Sequence, residues 1–310
     1  MSELTHPVVV GVDGTEANLG AVLFAVEEAS RRAAPLRLVH VVPDRVAVSP
    51  LVPATPVDLS DTGEVILRRA ERQVRGVAPD LLVEARLRHG NRAAQLARSA
   101  QESTTLVVGR DDRPAVERLL RGDTATAVAS HAAVPVVEVP ADWRPPGPDR
   151  TSRGTVVVGL KSPVYADAVL ADAFERARER SADLVVVHAW KLPSGYDEVV
   201  DGHGELDEWE RTATRELEAL LASWRAAYPE VAVATRVVHE HPAQALVHAS
   251  EEADLVVVLR HAHGSPSTSH LGSVARAVLR SSDCPVRVVP PTEAGAIPDL
   301  VLEAAGGLLA

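Results

Sequence analysis

Two short glycine-containing segments in the first half of the sequence combine residue types that suit a phosphate-bearing ligand. The first, GVDGT, follows an apolar run and contains Asp13 and Gly14. The second, VVGRDDRPAVERLLRGDT, has Gly109 after another apolar run and Gly122 before a helix-like segment. Glycines let the backbone approach a ligand closely, and free N–H groups at a helix N-terminus attract anions. Together, a carboxylate placed near the base or ribose and glycines placed near the phosphates are typical of a nucleotide-binding site. Taken singly, an aspartate before a helix is more often a helix cap, and a glycine at a strand end is often only part of a turn.

The same arrangement occurs a second time in the chain. Gly11 corresponds to Gly159 at an offset of 148 residues, and Gly122 corresponds to Gly272 at an offset of 150. A register that persists over most of each copy indicates a tandem duplication. The segment PADWRPPGPDRTSRG, at 140–154, is rich in proline and glycine and therefore marks the boundary between the copies.

Each copy alternates short apolar runs with segments of helical periodicity. This alternation predicts βαβ units, and hence an α/β fold with a five-stranded parallel sheet and helices on both faces in each copy. The predicted strands are 7–12, 36–42, 81–88, 105–109 and 135–139, then 155–160, 184–190, 231–238, 255–259 and 286–289. The predicted helices of the first copy are 16–33, 62–77, 91–103 and 123–132. The predicted domains are 1–140 and 154–290, with a linker at 141–153 and a tail at 291–310.

Composition limits the classes of partner. The net charge of −11 disfavours nucleic acid and anionic membrane surfaces as partners. The single cysteine, Cys284, excludes a disulfide within the chain and precedes a predicted buried strand. No basic secretory leader is visible, and no apolar run reaches the roughly 18 residues that span a bilayer. We therefore expect a soluble cytoplasmic protein.

On these motifs the sequence resembles the universal stress protein family, in its tandem form with two such domains. The resemblance covers nearly all of 7–140 and 154–290 and implies the strand order 3-2-1-4-5 in each domain. Many members bind ATP through G-x2-G-x9-G-[ST] after strand four, with an Asp after strand one and backbone near the end of strand two. Family domains commonly pair through their fifth strands, which implies an intrachain pseudo-dimer here and leaves a homodimer of whole chains open.

The first half matches the nucleoside end of the family site. Asp13 and Val41 match that end, and Gly109 and Gly122 match the first and third glycines of the motif. Val108, just before the first glycine, is also predicted to line the site. The phosphate end departs from the pattern, because aspartates stand at the second glycine and at the Ser/Thr position. These carboxylates are Asp112 and Asp123, with Asp111 beside them.

The aspartates would oppose a phosphate ligand. Two unit charges about 4 Å apart repel by about 4 kcal/mol at an effective dielectric constant near 20. A cation between them, or an outward turn of the loop, would relieve this repulsion. Neighbouring arginines could also compensate in part, namely Arg110, Arg113 and Arg121.

The second half departs in the opposite direction. Leu259 and Ala262 replace the first two glycines, and Lys161 replaces the strand-one Asp. The last part of the motif is intact, and the residues predicted to bind a ligand there are Gly272, Ser273 and Val274. The phosphate end is thus partly kept in this half, and the nucleoside end is altered.

The resemblance implies a stress-response regulator that binds an adenine nucleotide, ATP with or without Mg²⁺, mainly in the first domain. We expect it to act through a regulatory protein partner that the sequence does not identify. No nucleophile–base set, G-x-S-x-G elbow or intact P-loop is recognisable, so we expect no catalytic residues and at most slow ATP hydrolysis. The histidines at 261, 263 and 270 lack acidic or cysteine companions at a metal spacing, so we expect no metal site. The alternative is a scaffold that has lost ATP binding, and an enzyme built around Lys161 is the least favoured hypothesis.

Overall fold

The computed structural model describes residues 6–46, 55–56, 58–110, 124–147, 153–163, 166–192, 205–260 and 271–291. The chain divides into two compact units, residues 1–147 and 148–310. Each unit is an α/β structure built on five parallel strands, which confirms the predicted fold class. The expected pairing of the two fifth strands stays a prediction.

The first unit follows the predicted alternation of strand and helix. Its strands are β1 (Val8–Gly11), β2 (Leu36–Val42), β3 (Arg45–Val46), β4 (Thr55–Pro56), β5 (Val83–His89), β6 (Thr105–Gly109) and β7 (Val136–Val139). Its helices are α1 (Leu19–Arg31), α2 (Ser60–Val77), α3 (Arg92–Ser99) and α4 (Thr124–His131). The parallel sheet has the order β5-β2-β1-β6-β7, and the short strands β3 and β4 form a separate antiparallel pair.

The second unit repeats this arrangement. Its strands are β8 (Thr155–Gly159), β9 (Asp183–Trp190), β10 (Val233–His239), β11 (Leu255–Leu259) and β12 (Val286–Val289). Its helices are α5 (Ala166–Arg180), α6 (Glu205–Ala227), α7 (Pro242–Ser250) and α8 (Ser273–Ser281). The strand order β10-β9-β8-β11-β12 is the same 3-2-1-4-5 order that the resemblance implies.

The core of each unit lies around its first strand, which has strands on both edges. The side chains of Val8, Val9 and Val10 in β1 are all 0% exposed. β5, at the edge of the same sheet, instead carries exposed or half-exposed charged residues, and such charges oppose pairing with a further chain. A strand buried on both faces reads as a continuous apolar run, which is why β1 and β6 were predicted closely.

Three local features differ from the predictions. The segment predicted as one helix at 16–33 begins with a 3-10 turn, Glu16–Asn18, before α1. Helix α3 ends at Ser99 instead of 103, because the Ser103 hydroxyl donates to the carbonyl of Ala100 at 2.8 Å and the chain turns into β6. The antiparallel pair β3–β4 falls between the predicted strand 36–42 and the predicted helix 62–77, where the sequence predicts no strand. Along the described ranges, every helix is too short or too polar to cross a membrane.

Within two residues of their last residue, both α1 and α5 are followed by a residue that is strained for an L-amino acid. Ala33 has φ 49° and Ser181 has φ 50°, and each side chain is exposed. The left-handed conformation costs a residue with a Cβ about 1–2 kcal/mol, whereas glycine adopts it freely. The two positions correspond in the repeat, so both copies keep the same local strain.

We expect Ala33→Gly and Ser181→Gly each to raise the free energy of unfolding by about 0.5–1 kcal/mol. This is the strain that glycine relieves, less the greater conformational entropy that glycine loses on folding. Urea denaturation of the full chain measures the change. Ala97→Gly, in the interior of α3, is the control and should lower the same free energy by roughly the same amount. Destabilisation by all three substitutions would contradict the argument.

Candidate functional site

A cleft of about 510 Å³ lies at the carboxyl edge of the sheet in the first unit. This is the edge at which open parallel sheets bind ligands, beside the point where the strand order reverses. Four of the five residues predicted in this half line it, and the fifth, Gly122, lies outside the described residues. The four are Asp13, Val41, Val108 and Gly109.

The end of β1 is held in place by a histidine of β2. The Nδ1 atom of His40, whose side chain is nearly buried, lies 2.6 Å from the carbonyl oxygen of Val12. Because a carbonyl only accepts, this Nδ1 carries the proton and donates it. The second unit has the same bond, from His188 to the carbonyl of Leu160 at 2.9 Å. In both units this bond fixes the backbone just before the turn that starts the site.

Asp13 belongs to a tight turn that depends on the next residue. Gly14 has φ +84°, a conformation that glycine adopts without strain. The Oδ1 atom of Asp13 accepts hydrogen bonds from the backbone N–H of Thr15 at 2.9 Å and from its hydroxyl at 2.8 Å. Thr15 is the N-cap residue of the 3-10 turn that follows, but its hydroxyl donates to Asp13 and makes no cap bond. The carboxylate is exposed, and its second oxygen makes no hydrogen bond with a described residue.

Gly109 has a neighbour that the sequence did not indicate. A Cβ at this position would lie 3.1 Å from Nδ2 of Asn18 and 3.6 Å from its Cα. Asn18 is 7% exposed, lines the cleft, and donates from Nδ2 to the carbonyl of Gly11 at 3.1 Å. The glycine at the end of β6 therefore makes room for this asparagine, as well as leaving backbone open to a ligand.

The first residue after β6 has its charge partly matched within the unit. Arg110 lines the cleft, and its Nε lies 3.6 Å from the buried Glu138 carboxylate on β7. Its backbone N–H donates to the carbonyl of Val139 at 2.7 Å. Part of the positive charge of Arg110, which was expected to compensate the loop aspartates, is therefore neutralised by Glu138. Those aspartates, Asp111, Asp112 and Asp123, lie outside the described residues, as do Arg113 and Arg121.

A second arginine of the cleft was not predicted. Arg92, the first residue of α3, is exposed, lines the cleft, and makes no ion pair or hydrogen bond with any described residue. Asn91 caps this helix by accepting from the N–H of Ala94 at 3.0 Å, which sets where α3 begins beside the cleft. The dipeptide Asn91–Arg92 after Gly90 is a helix-start signal, and the parallel topology places that start at the ligand edge.

The second unit places different chemistry at the corresponding positions. Lys161 is exposed where the first unit has Asp13, and Leu259 ends β11 where the first unit has Gly109. Of the predicted residues, Gly272 is the N-cap of α8, Ser273 is its exposed first residue and Val274 follows. The predicted helix N-terminus is therefore present, without a strand-four glycine beside it.

The histidines near this edge take structural positions where they are described. His239 packs on Trp190 with ring centroids 4.4 Å apart, and His241 caps α7 by accepting from the N–H of Ala243. The histidines at 261, 263 and 270, and Ala262, lie outside the described residues. Within the described ranges, no three His, Cys, Asp or Glu side chains come together as a metal site.

Known proteins match the chain over nearly its whole length. Residues 5–140 and 153–290 each match the universal stress protein family. A universal stress protein of Mycolicibacterium smegmatis is 32% identical over 297 residues, covering 94% of this chain and 99% of that protein. The universal stress protein Rv2005c of Mycobacterium tuberculosis is 32% identical over 291 residues, covering 91% and 96%. The crystal structure of a universal stress protein from Archaeoglobus fulgidus has a TM-score of 0.63 at 17% identity, covering 94% and 98%.

We expect Gly14→Ala to lower the free energy of unfolding by about 2 kcal/mol, because the new Cβ would be strained at positive φ. It would also lie 2.9 Å from Cγ1 of Ile66. Gly76→Ala is the matched control, since a Cβ at this helical position of α2 meets nothing within 4 Å. The control should raise stability by up to about 1 kcal/mol. Equal effects of the two substitutions in urea denaturation would refute the assigned role of Gly14.

Proposed function

Because the chain belongs to the universal stress protein family and carries its domain twice, we propose that it is a stress-response regulator that binds an adenine nucleotide. The ligand is ATP, with or without Mg²⁺, and its main site is the cleft of the first unit. The observation that supports this proposal most is the order of the residues that line the cleft. They run from an apolar end on β2 to a helix N-terminus at α4.

The lining residues divide by chemistry along the sheet. Val39 and Val41 on β2 offer an apolar surface for a base. The exposed Asp13 carboxylate and the Gly109 backbone come next, where a sugar would lie. Thr124 and Ala125, in the first turn of α4, form the far end, where helix N–H groups favour phosphates. An elongated ligand with an apolar base, a polar sugar and an anionic tail fits this order.

The charged residues that line the cleft determine how strongly the phosphates of a nucleotide would be repelled or attracted. Asp13 and Glu16 contribute two carboxylates among the described lining residues. Arg110 shares its charge with Glu138, so Arg92 is the lining cation that has no described acidic partner. We propose that Arg92 attracts the anionic ligand, and that Mg²⁺ would reduce the repulsion between phosphates and nearby aspartates.

The residues of the cleft favour binding over catalysis. The described lining residues include two threonines but no histidine and no cysteine, so they offer no activated nucleophile. We propose that nucleotide occupancy changes the surface around the cleft and that a regulatory protein partner recognises the change. The soluble, cytoplasmic location expected from the sequence belongs to the same proposal.

A second candidate function is a scaffold of the same fold that acts through protein contacts without a nucleotide. The observation that favours it is the replacement of site residues in the second unit, where Lys161 and Leu259 stand for Asp13 and Gly109. Asn18 also occupies part of the space beside Gly109 in the first unit. Under this alternative the cleft would be a remnant of an ancestral site.

Calorimetric titration of nucleotide-stripped protein with ATP and Mg²⁺ separates the two functions. We expect micromolar affinity, and a loss of about ten-fold or more in Asp13→Ala, because a hydrogen bond to a charged group contributes about 1.5–3 kcal/mol. Asp13→Asn, which keeps an acceptor for Thr15, should fall between wild type and Asp13→Ala. Asp80→Ala, an exposed acid in a turn outside the cleft, should bind like wild type. Absence of heat and of thermal shift at millimolar ATP would favour the scaffold.

The same titration tests the contribution of α3. We expect Arg92→Ala to weaken ATP binding by about five- to ten-fold at low salt, with a smaller loss at high salt, because the interaction is an exposed charge attraction. Arg98→Ala removes an exposed arginine from the last turn of the same helix, away from the cleft. Equal weakening by both substitutions would show a general field effect in place of a contact at Arg92.

A further inference from the structure

We propose that Asn18 determines ligand specificity in the first unit, because its carboxamide oxygen accepts a hydrogen bond from a sugar hydroxyl of the bound nucleotide. This inference rests on the proposed function. It concerns a residue that belongs neither to the glycine motif nor to the residues predicted from the resemblance.

The orientation of the Asn18 side chain is fixed by the protein. Its Nδ2 lies 3.1 Å from the carbonyl oxygen of Gly11. A carbonyl oxygen only accepts, so the atom facing it must be the nitrogen, and this settles which end of the carboxamide is which. The side chain is 7% exposed and has little freedom to turn. The oxygen Oδ1 is therefore held in one place.

That oxygen has no partner in the described part of the chain. No hydrogen bond to Oδ1 of Asn18 comes from any described residue, and the side chain lines the cleft. The oxygen is not one of the buried polar atoms that lack a partner, so it is open to the cleft. A ligand that covers it must supply a donor, because an acceptor that is buried and left unpaired costs about 1–3 kcal/mol. The cleft therefore favours a ligand with a hydroxyl or amine at this point.

The position of Asn18 along the sheet indicates that the donor is a hydroxyl of the nucleotide sugar. Asn18 contacts the end of β1 through Gly11 and the end of β6 through Gly109. Adjacent strands lie about 4.8 Å apart, so a base resting on β2 is one to two strands away. The sugar of a nucleotide spans that distance from its base. Phosphate oxygens only accept at neutral pH, so they cannot satisfy Oδ1.

The second unit shows that the asparagine and the glycine change together. Ala166 stands where the first unit has Asn18, and Leu259 stands where it has Gly109. In the first unit a Cβ on residue 109 would lie 3.1 Å from the Asn18 nitrogen, so a larger residue there would have to displace the asparagine by a few tenths of an ångström. In the second unit, loss of the asparagine allows a larger residue at the strand end. The Asn18 oxygen that would accept the bond from the sugar is thus present in the first unit and is not repeated at the corresponding position, Ala166, of the second.

The test compares three nucleotides on the full chain, namely ATP, 2′-deoxy-ATP and 3′-deoxy-ATP, by calorimetry. Wild type should bind one of the deoxynucleotides about ten-fold more weakly than ATP, and the nucleotide that loses affinity identifies the hydroxyl. Asn18→Ala, which introduces the residue of the second unit, should bind that deoxynucleotide within about two-fold of ATP, whereas any discrimination at a hydroxyl that Asp13 contacts should persist. Asn18→Ser, which retains a hydroxyl donor for the Gly11 carbonyl, should also lose the discrimination and guards against a folding defect in Asn18→Ala.

The outcomes separate this inference from the function on which it rests. If wild type binds no nucleotide, both the proposed function and the role of Asn18 are overturned. If wild type binds all three equally, or if neither variant loses discrimination against either deoxynucleotide, only the role of Asn18 is overturned. If Asn18 had only a structural role, its substitution would weaken the binding of all three nucleotides by the same factor, and that result would also refute the inference.

Discussion

The site depends on the burial of the first strand in each unit and on the hydrogen bond that holds the end of that strand. Val8, Val9 and Val10 are completely buried, so the register of β1 against β2 and β6 cannot shift without exposing apolar surface. His40 then fixes the carbonyl of Val12, one residue beyond the strand. The turn at Asp13 and Gly14 starts from this fixed point, and the floor of the cleft follows from it.

The repeat has kept this framework while changing the chemistry on it. The bond from His188 to Leu160 reproduces the one from His40 to Val12, yet Lys161 follows where Asp13 follows in the first unit. A framework that depends on strand burial and one buried hydrogen bond places few demands on the residues at the strand ends. Those residues are therefore free to diverge, and the two units need not share a ligand.

The interiors of the units have diverged in the same way. Arg287 on β12 makes a two-pronged ion pair with Asp172 on α5, with distances of 2.6 and 2.8 Å. The corresponding residues of the first unit are the buried Val137 and Phe24. A buried ion pair recovers its cost of desolvation only through close geometry, whereas an apolar pair needs no such match. The same fold thus accommodates either solution, which explains how the copies drifted apart in sequence without losing the strand order.

The sequence by itself determined the duplication, the α/β class, and the strands and helices to within a few residues. It could do so because buried parallel strands appear as continuous apolar runs and helices as 3.6-residue periodicity, both of which are local. The resemblance supplied the strand order and the residues Asp13, Val41, Val108 and Gly109, which the structure brings to one cleft.

Only the tertiary structure decided that Asn18 fills the space beside Gly109, that Arg92 lines the same cleft, and that Glu138 neutralises part of the charge of Arg110. These relations join residue 18 to residue 109 and residue 110 to residue 138, and they bring residue 92 to a cleft that the ends of β1 and β2 also line, so no local pattern contains them. The partner of the Thr15 hydroxyl was decided in the same way, because a helix cap and an aspartate turn use the same residue types and only the backbone angles distinguish them.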